Sequence, residues 1–234
     1  MRNQPEQQAP PIQRLRIRYA KRGRLRFTSH RDFSRAFERA VFRARIPMAY
    51  SSGFNPHPRI SYAGAAPTGS ASEAEYLEIA LAQVVDPAEI GRQLDEALPE
   101  GLDVLEIVES PGGSLADRLG ASRWRIATSA DTATATAAVQ TFLAAEELVI
   151  ERMTKKGMRS FDCRSAVVSL AVEDTDGTAA LDLVVAHATP AVRPDDVLRG
   201  LTLAAGFDAG TAPLLTRLAQ GPLGEDGTVG DPLA

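Results

Sequence analysis

The fold is decided by one stretch near the N-terminus, RLRIRYAKRGRLRFTSHRDFSRAFERAVFRA, which occupies residues 14–44. Its first part alternates between arginine and apolar residues, with Leu15, Ile17 and Tyr19 on one side. Alternation of this kind is typical of a strand that is buried on one face. The alternation resumes after the turn at Gly23, so the first part predicts extended structure that leads into a helix.

The second part of the stretch predicts a helix with an apolar face and a basic face. Ser29 is the expected N-cap, with Asp32 three residues further on, and Pro47 ends the helix. The apolar face consists of Phe33, Ala36, Phe37, Ala40, Val41 and Ala44. Every fourth residue on the opposite side is an arginine, at Arg31, Arg35, Arg39 and Arg43.

After this stretch, the first half of the chain contains patterns that predict strands near residues 60–63 and 77–81. A helix that begins at Asp86 and a strand near 104–107 are predicted next. The order β-α-β-β-α-β is that of the ferredoxin-like fold. The second half repeats the order of elements without a residue-level repeat. The sequence therefore predicts an α+β protein made of two tandem ferredoxin-like (βαββαβ) units with antiparallel sheets.

Glycine, proline and polar residues mark the expected boundaries. These predict a disordered lead at 1–12, a first domain with a basic face at 13–110, a linker at 111–121, a second domain at 122–220 and a disordered tail at 221–234. The polar N-terminus lacks an apolar signal segment, and no run of about 18 apolar residues is present. We therefore expect a cytoplasmic protein with no membrane partner.

The net charge of −4 conceals a concentrated basic block. Residues 14–59 hold twelve arginines and one lysine against two acids, Asp32 and Glu38, which leaves a local charge of +11. Such a concentration predicts an anionic partner. Arginine suits RNA because the guanidinium group binds phosphates in a bidentate manner and stacks on bases. The alternative is a basic surface that is merely solvated.

Three regions resemble a known family: KRGRLRFTSHRDFSRAFERAVFRA at 21–44, YSSGFNPHPRISYA with SEAEYLEIAL between 50 and 81, and KKGMRSFDCR at 155–164. The chain resembles the radical-SAM-linked (radical-SAM-associated) domain of unknown function, in its standalone form. In that family the domain stands alone or is fused behind a cobalamin-binding radical SAM enzyme, and it is often encoded near ribonuclease E/G. The resemblance implies a radical SAM enzyme as a possible partner and brings no assigned biochemistry.

Candidate RNA-binding residues lie in the basic block, in the loop after the helix and in the third motif. They are Arg24, Arg26, Arg31, Arg35, Arg39, Arg59, Phe54, Asn55, His57, Lys155, Lys156, Arg159 and Arg164. In the loop, Phe54 or His57 could stack a base while Asn55 reads its edge. The alternative for the loop is a structural turn with Phe54 in the core. The third motif either extends the same groove or forms a solvated hairpin.

His30 and His57 are the candidates for proton transfer in the basic half. The alternative for His30 is capping or a hydrogen bond to Asp32. At the head of a helix His30 suits phosphate binding, so His57 is the better catalytic candidate. We expect no cofactor and no metal site, because three histidines and the single Cys163 offer few ligands. A radical SAM cluster needs three cysteines, so the chain cannot perform that chemistry alone.

The leading hypothesis is an RNA-binding accessory protein that presents a structured RNA, tRNA or ribosomal RNA, to a radical SAM type partner enzyme. A second hypothesis is a metal-independent endoribonuclease, because the expected architecture is similar to that of the CRISPR RNA-processing proteins of the RAMP type. A third is a protein-interaction module for an acidic partner. The first hypothesis predicts that the purified protein binds RNA without cutting it.

Overall fold

The computed structural model describes residues 7–154 and 157–234. The chain divides into two compact units, one of Met1–Asp117 with Leu233–Ala234 and one of Arg118–Pro232. The boundary after Asp117 falls inside the segment that the sequence predicts as a linker. The described part of the chain has a mixed α+β fold with four α-helices and mostly antiparallel strand pairing. None of these helices is long and apolar enough to cross a membrane.

The first unit contains four strands and two helices. They are β1 (Gln13–Lys21), α1 (His30–Arg43), β2 (Ile60–Ala63), β3 (Ala71–Leu81), α2 (Pro87–Ala97) and β4 (Val104–Glu109). β1 pairs with β4 and with β3, and β3 pairs with β2. All three pairings are antiparallel, so the strand order within this unit is β4-β1-β3-β2.

The core of the first unit joins one face of the sheet to the apolar faces of both helices. Leu15 and Ile17 of β1 are fully buried, and they pack with Phe33 and Phe37 of α1 and with Leu94 of α2. The apolar sides predicted for the strand and the helix are confirmed. The prediction that β1 is buried on one face only is wrong, because Arg16 on the opposite face is 0% exposed.

Arg16 is buried because a carboxylate of β3 meets it. Glu78 accepts hydrogen bonds from Arg14 at 2.9 Å, from Arg16 at 3.1 Å and from the Ser110 hydroxyl at 2.8 Å. Burial alone would raise the pKa of Glu78, but the hydrogen bonds from Ser110 and the two arginines hold that pKa below its ordinary value. Arg16 also donates to the carbonyls of residues 112–113, which ties this segment to the sheet.

The second unit contains six strands and two helices. They are β5 (Ala121–Ala127), α3 (Thr132–Ala144), β6 (Val149–Thr154), β7 (Gly157–Asp162), β8 (Val167–Thr175), β9 (Thr178–Ala186), α4 (Pro194–Ala205) and β10 (Leu214–Gly221). Antiparallel pairing gives the order β10-β5-β9-β8. β6 and β7 form a separate hairpin. β7 lies in the third motif, KKGMRSFDCR, and its pairing with β6 gives the hairpin that the sequence predicts as one of two alternatives for this motif.

The segment after β10 is held by backbone hydrogen bonds, whereas the sequence predicts disorder at 221–234. The Gly224 amide donates to the Thr228 carbonyl at 2.9 Å, and the Gly230 amide donates to the Pro222 carbonyl at 2.8 Å. Between them Gly227 has a φ of +80°, a conformation that glycine adopts without strain. The turn orders a segment that has few apolar residues.

Candidate nucleic-acid interface

α1 is positioned by its N-cap and its buried side. The Ser29 hydroxyl accepts the backbone N–H of Asp32 at 3.2 Å and donates to the Asp32 carboxylate at 2.7 Å. Phe33 stacks on Tyr19 of β1, with the ring centroids 4.4 Å apart. Phe37 is 1% exposed. The helix is therefore fixed to the sheet through one side, and its other side faces solvent.

The solvent side of α1 carries a row of arginines without ion pairs among the described residues. Arg31, Arg35 and Arg39 are exposed, and none of them forms an ion pair with any residue in 7–154 or 157–234. A helix rises about 1.5 Å per residue, so consecutive members of this row are about 6 Å apart along the axis. These guanidinium groups are therefore accessible to an external anion.

The arginines of β1, and Arg22 directly after it, form ion pairs with acidic side chains of the same unit. The ion pairs join Arg14 and Arg16 to Glu78, Arg18 to Glu106, and Arg22 to Glu73 and Asp103. Hydrogen bonding to Glu73 raises the pKa of the Arg22 guanidinium above its ordinary value. The basic block is thus divided into a neutralised part on the sheet and an open part on α1.

Arg24 and Arg26 lie in a 3-10 turn, Gly23–Phe27, where the sequence predicts continued strand alternation. Gly23 has a φ of +53°, which turns the chain out of the extended conformation. Neither arginine is ion-paired within the described ranges. The Arg26 guanidinium lies 4.6 Å from the ring centroid of Phe27, a cation–π contact.

The loop between α1 and β2 presents Phe54, Asn55 and His57 to solvent. Its base is closed by the Ser51 amide, which donates to the His57 carbonyl at 2.9 Å, and by the His57 amide, which donates to the Ser51 hydroxyl at 3.0 Å. Phe54 is 75% exposed, so it does not fill the core. The loop is closed at its base and has an exposed aromatic ring near its tip.

Two of the predicted arginines donate hydrogen bonds to backbone carbonyls within their own unit. Arg59 donates through Nε to the Tyr50 carbonyl at 3.0 Å. Arg164, which is half-buried, donates to the carbonyls of Val167 at 3.2 Å and Leu143 at 3.3 Å. The Arg59 guanidinium thus stabilises its own loop, and the Arg164 guanidinium joins the segment after β7 to α3.

Of the other predicted residues of the third motif, one belongs to β7 in the second unit. Arg159 is exposed on β7. Lys155 and Lys156 lie outside the described residues.

The two candidate histidines have no carboxylate partner in the described part of the chain. The His30 ring packs edge-on against Tyr62, with centroids 5.0 Å apart, while the carboxylate of Asp32 accepts from Ser29. Burial raises the pKa of Tyr62 to about 12, so its phenol stays neutral. A histidine that acts in acid–base catalysis is generally oriented by a hydrogen-bond partner, and this arrangement supplies none.

Phe42 belongs to none of the sets predicted from the sequence, yet it stands beside the arginine row. Its side chain is 82% exposed. It follows Arg35 by seven residues and Arg39 by three, so all three share one side of the helix. A shallow concavity of about 630 Å³ is lined by Arg35, Glu38, Arg39, Phe42 and Arg43. Helical spacing alone could have placed this ring.

The thiol and the third histidine are structural. Burial raises the pKa of Cys163 to about 11, so its thiol is neutral near pH 7. The His187 ring contacts the Leu119 carbonyl at 2.8 Å and the Ser122 hydroxyl at 3.1 Å. Across residues 7–154 and 157–234, no group of three or more His, Cys, Asp or Glu side chains is placed to hold a metal ion.

A family model described as "Uncharacterized protein conserved in bacteria (DUF2344)" matches residues 14–194. The chain belongs to this family. The matched range of DUF2344 contains α1, the loop after it and the β6–β7 hairpin. No curated protein matches the chain. Among solved structures it is similar to the crystal structure of a Cbf5-Nop10-Gar1 complex, with a TM-score of 0.48 and 12% identity over 96% of this chain and 57% of that one. The chain thus spans little more than half of that chain's length.

Proposed function

We propose that this DUF2344 protein is an RNA-binding accessory protein. The observation that carries the proposal is the row Arg31, Arg35 and Arg39, which lacks acidic partners among the described residues while the arginines of β1 are paired. The whole chain has 30 acidic and 26 basic side chains, so acids for pairing are not scarce. A row left open in an acidic protein fits an external polyanion.

RNA is favoured over an acidic protein because exposed rings accompany the arginines. Phe42, Phe54 and His57 lie on α1 or on the loop after it, and all three are exposed. A site that binds both parts of RNA needs guanidinium groups to contact the phosphates and aromatic rings on which the bases stack. The concavity beside Phe42 places the guanidinium groups of Arg35, Arg39 and Arg43 next to the ring, as binding of a phosphate and its base requires.

We propose that this protein acts together with a partner enzyme. The resemblance to the radical-SAM-linked domain supports a radical SAM type enzyme, to which this protein would present a structured RNA such as tRNA or ribosomal RNA. The single cysteine cannot hold the cluster of such an enzyme, so the chemistry would belong to the partner. The cytoplasmic location expected from the sequence is part of the same proposal.

For the fold, we propose that both units are ferredoxin-like. In the order β4-β1-β3-β2, α1 joins β1 to β2, and β3 lies between these two strands. In the same way α2 joins β3 to β4, and β1 lies between them. The order β10-β5-β9-β8 has the same arrangement around α3 and α4. Two such split β-α-β crossovers are the pattern of this fold.

Co-purification and a cleavage assay test the proposed function. The protein is purified at low salt, and its ultraviolet absorbance spectrum is compared before and after a high-salt wash. We expect a nucleic-acid signature that the wash removes, and intact RNA when the washed protein is incubated with labelled tRNA and a chelator. Absence of RNA binding would overturn the proposal. Products ending in a 2′,3′-cyclic phosphate, abolished by His57→Ala with binding intact, would establish the endoribonuclease instead.

A further inference from the structure

Phe42 has the most exposed large apolar side chain in the described part of the chain, at 82%. A position on the solvent side of a helix favours residues such as lysine, glutamate or alanine, which have high helix propensity. A phenylalanine there gains almost no packing within the fold. The ring is therefore accessible for a contact outside the chain.

The surroundings of Phe42 differ on its two sides. The concavity with Arg35, Arg39 and Arg43 is basic. A second concavity of about 540 Å³ begins on the other side of the ring, and its lining includes Tyr50 and Pro58 from the loop segment. Phe42 lines both concavities, so its ring is bordered by Arg35 and Arg39 on one side and by Ile46 and Tyr50 on the other.

We propose that the RNA element bound on α1 is single-stranded, with its backbone along Arg35 and Arg39 and an unpaired base stacked on Phe42. This inference rests on the proposed function and names the class of its ligand. Glu38 borders both concavities. Its carboxylate repels a phosphate and accepts N–H groups of a base edge, which suits a base at this point and not backbone.

A duplex does not fit this arrangement. In A-form RNA the bases are stacked on one another, and proteins contact the duplex through phosphates, 2′-hydroxyls and shape. An exposed ring beside an arginine row has no base face to meet there. Loops, bulges and ends offer unpaired bases whose faces are free, so these are the elements of a structured RNA that α1 takes.

The test compares a fluorescein-labelled oligouridylate with a blunt RNA duplex that has the same number of phosphates, by fluorescence anisotropy. We expect Phe42→Ala to weaken binding of the single strand about 5- to 150-fold, the range for loss of one stacked base, and to leave duplex binding unchanged. Phe42→Tyr retains the ring and should bind the single strand as the wild type does. The matched control is Val84→Ala, at a side chain of the first unit that is 76% exposed.

A tryptophan at the same position reports stacking directly. The one native tryptophan, Trp124, is 4% exposed, so Phe42→Trp adds a single accessible indole. We expect the single strand to quench the added fluorescence and the duplex to leave it unchanged. Salt-sensitive RNA binding that Phe42→Ala does not weaken would overturn this inference and leave the proposed function intact. Failure to bind any RNA, with binding of a polyglutamate peptide instead, would overturn both.

Discussion

Replacing Arg35 and Arg39 together by alanine should flatten the salt dependence of RNA binding. Each guanidinium is exposed and lacks an acidic partner among the described residues, so each can neutralise one phosphate. For a single strand, the logarithm of the binding constant falls with the logarithm of salt concentration by a slope of about −0.7 per phosphate. Loss of two contacts should therefore reduce the slope by about 1.4. Alanine has the highest helix propensity, so α1 should persist.

The assay is an anisotropy titration of a labelled single-stranded RNA over a series of salt concentrations. The control is the double variant Arg92→Ala with Arg123→Ala, which removes the same charge from arginines that are already paired with glutamates and with Asp182. The control should keep the parental slope. Equal flattening in both double variants, or the parental slope in Arg35→Ala with Arg39→Ala, would refute phosphate contacts on α1.

Two further predictions concern the first unit and its boundary. Glu78→Gln should lower the free energy of unfolding by about 3–5 kcal/mol in chemical denaturation, because it leaves the buried Arg16 without a carboxylate. Since the pKa of Glu78 is lowered in the fold, its contribution is complete above pH about 4.3 and is lost as the pH falls through the folded value. Limited proteolysis should first cut within 111–121 and yield fragments of about 12 kDa, and Glu78→Gln should accelerate that cut. An unchanged stability, or a first cut inside α1, would contradict these expectations.

Local periodicity predicts the buried side of the first elements well. Leu15 and Ile17 alternate at strand spacing, Phe33 and Phe37 recur at helix spacing, and all four are buried. These patterns succeed because the contacts follow from the geometry of a single element. The start of α1 follows in the same way from Ser29, whose hydroxyl caps the helix.

The opposite face of β1 could not be predicted, because its partner is distant in sequence. Arg16 pairs with Glu78, which lies 62 residues further along the chain. An alternation of arginine and apolar residues is typical of a strand with one solvated face, and only the sheet register brings the carboxylate to the guanidinium. Pairing of this kind depends on topology, which the local pattern does not contain.

The candidate site also contains some features that local spacing predicts and others that depend on the fold. The stripe formed by Arg31, Arg35 and Arg39 follows from helix spacing, and the same spacing could have added Phe42. The hydrogen bonds of Arg59 and Arg164 to carbonyls depend on how the loops close, and no spacing in the sequence predicts them. The residue types in the sequence predict the basic surface. The structure shows which of its arginines bond backbone carbonyls and which are exposed without an ion pair among the described residues.

Ultraviolet crosslinking of the protein to RNA, followed by mass spectrometry of the peptides, tests RNA binding by the face of α1 most directly. Nucleotide adducts are expected on peptides from α1 and from the loop that follows it, at Phe42, Phe54 or His57. Adducts should disappear when Arg35 and Arg39 are both replaced by alanine. Adducts confined to the second unit, or found only on β1, would contradict an RNA-binding face on α1.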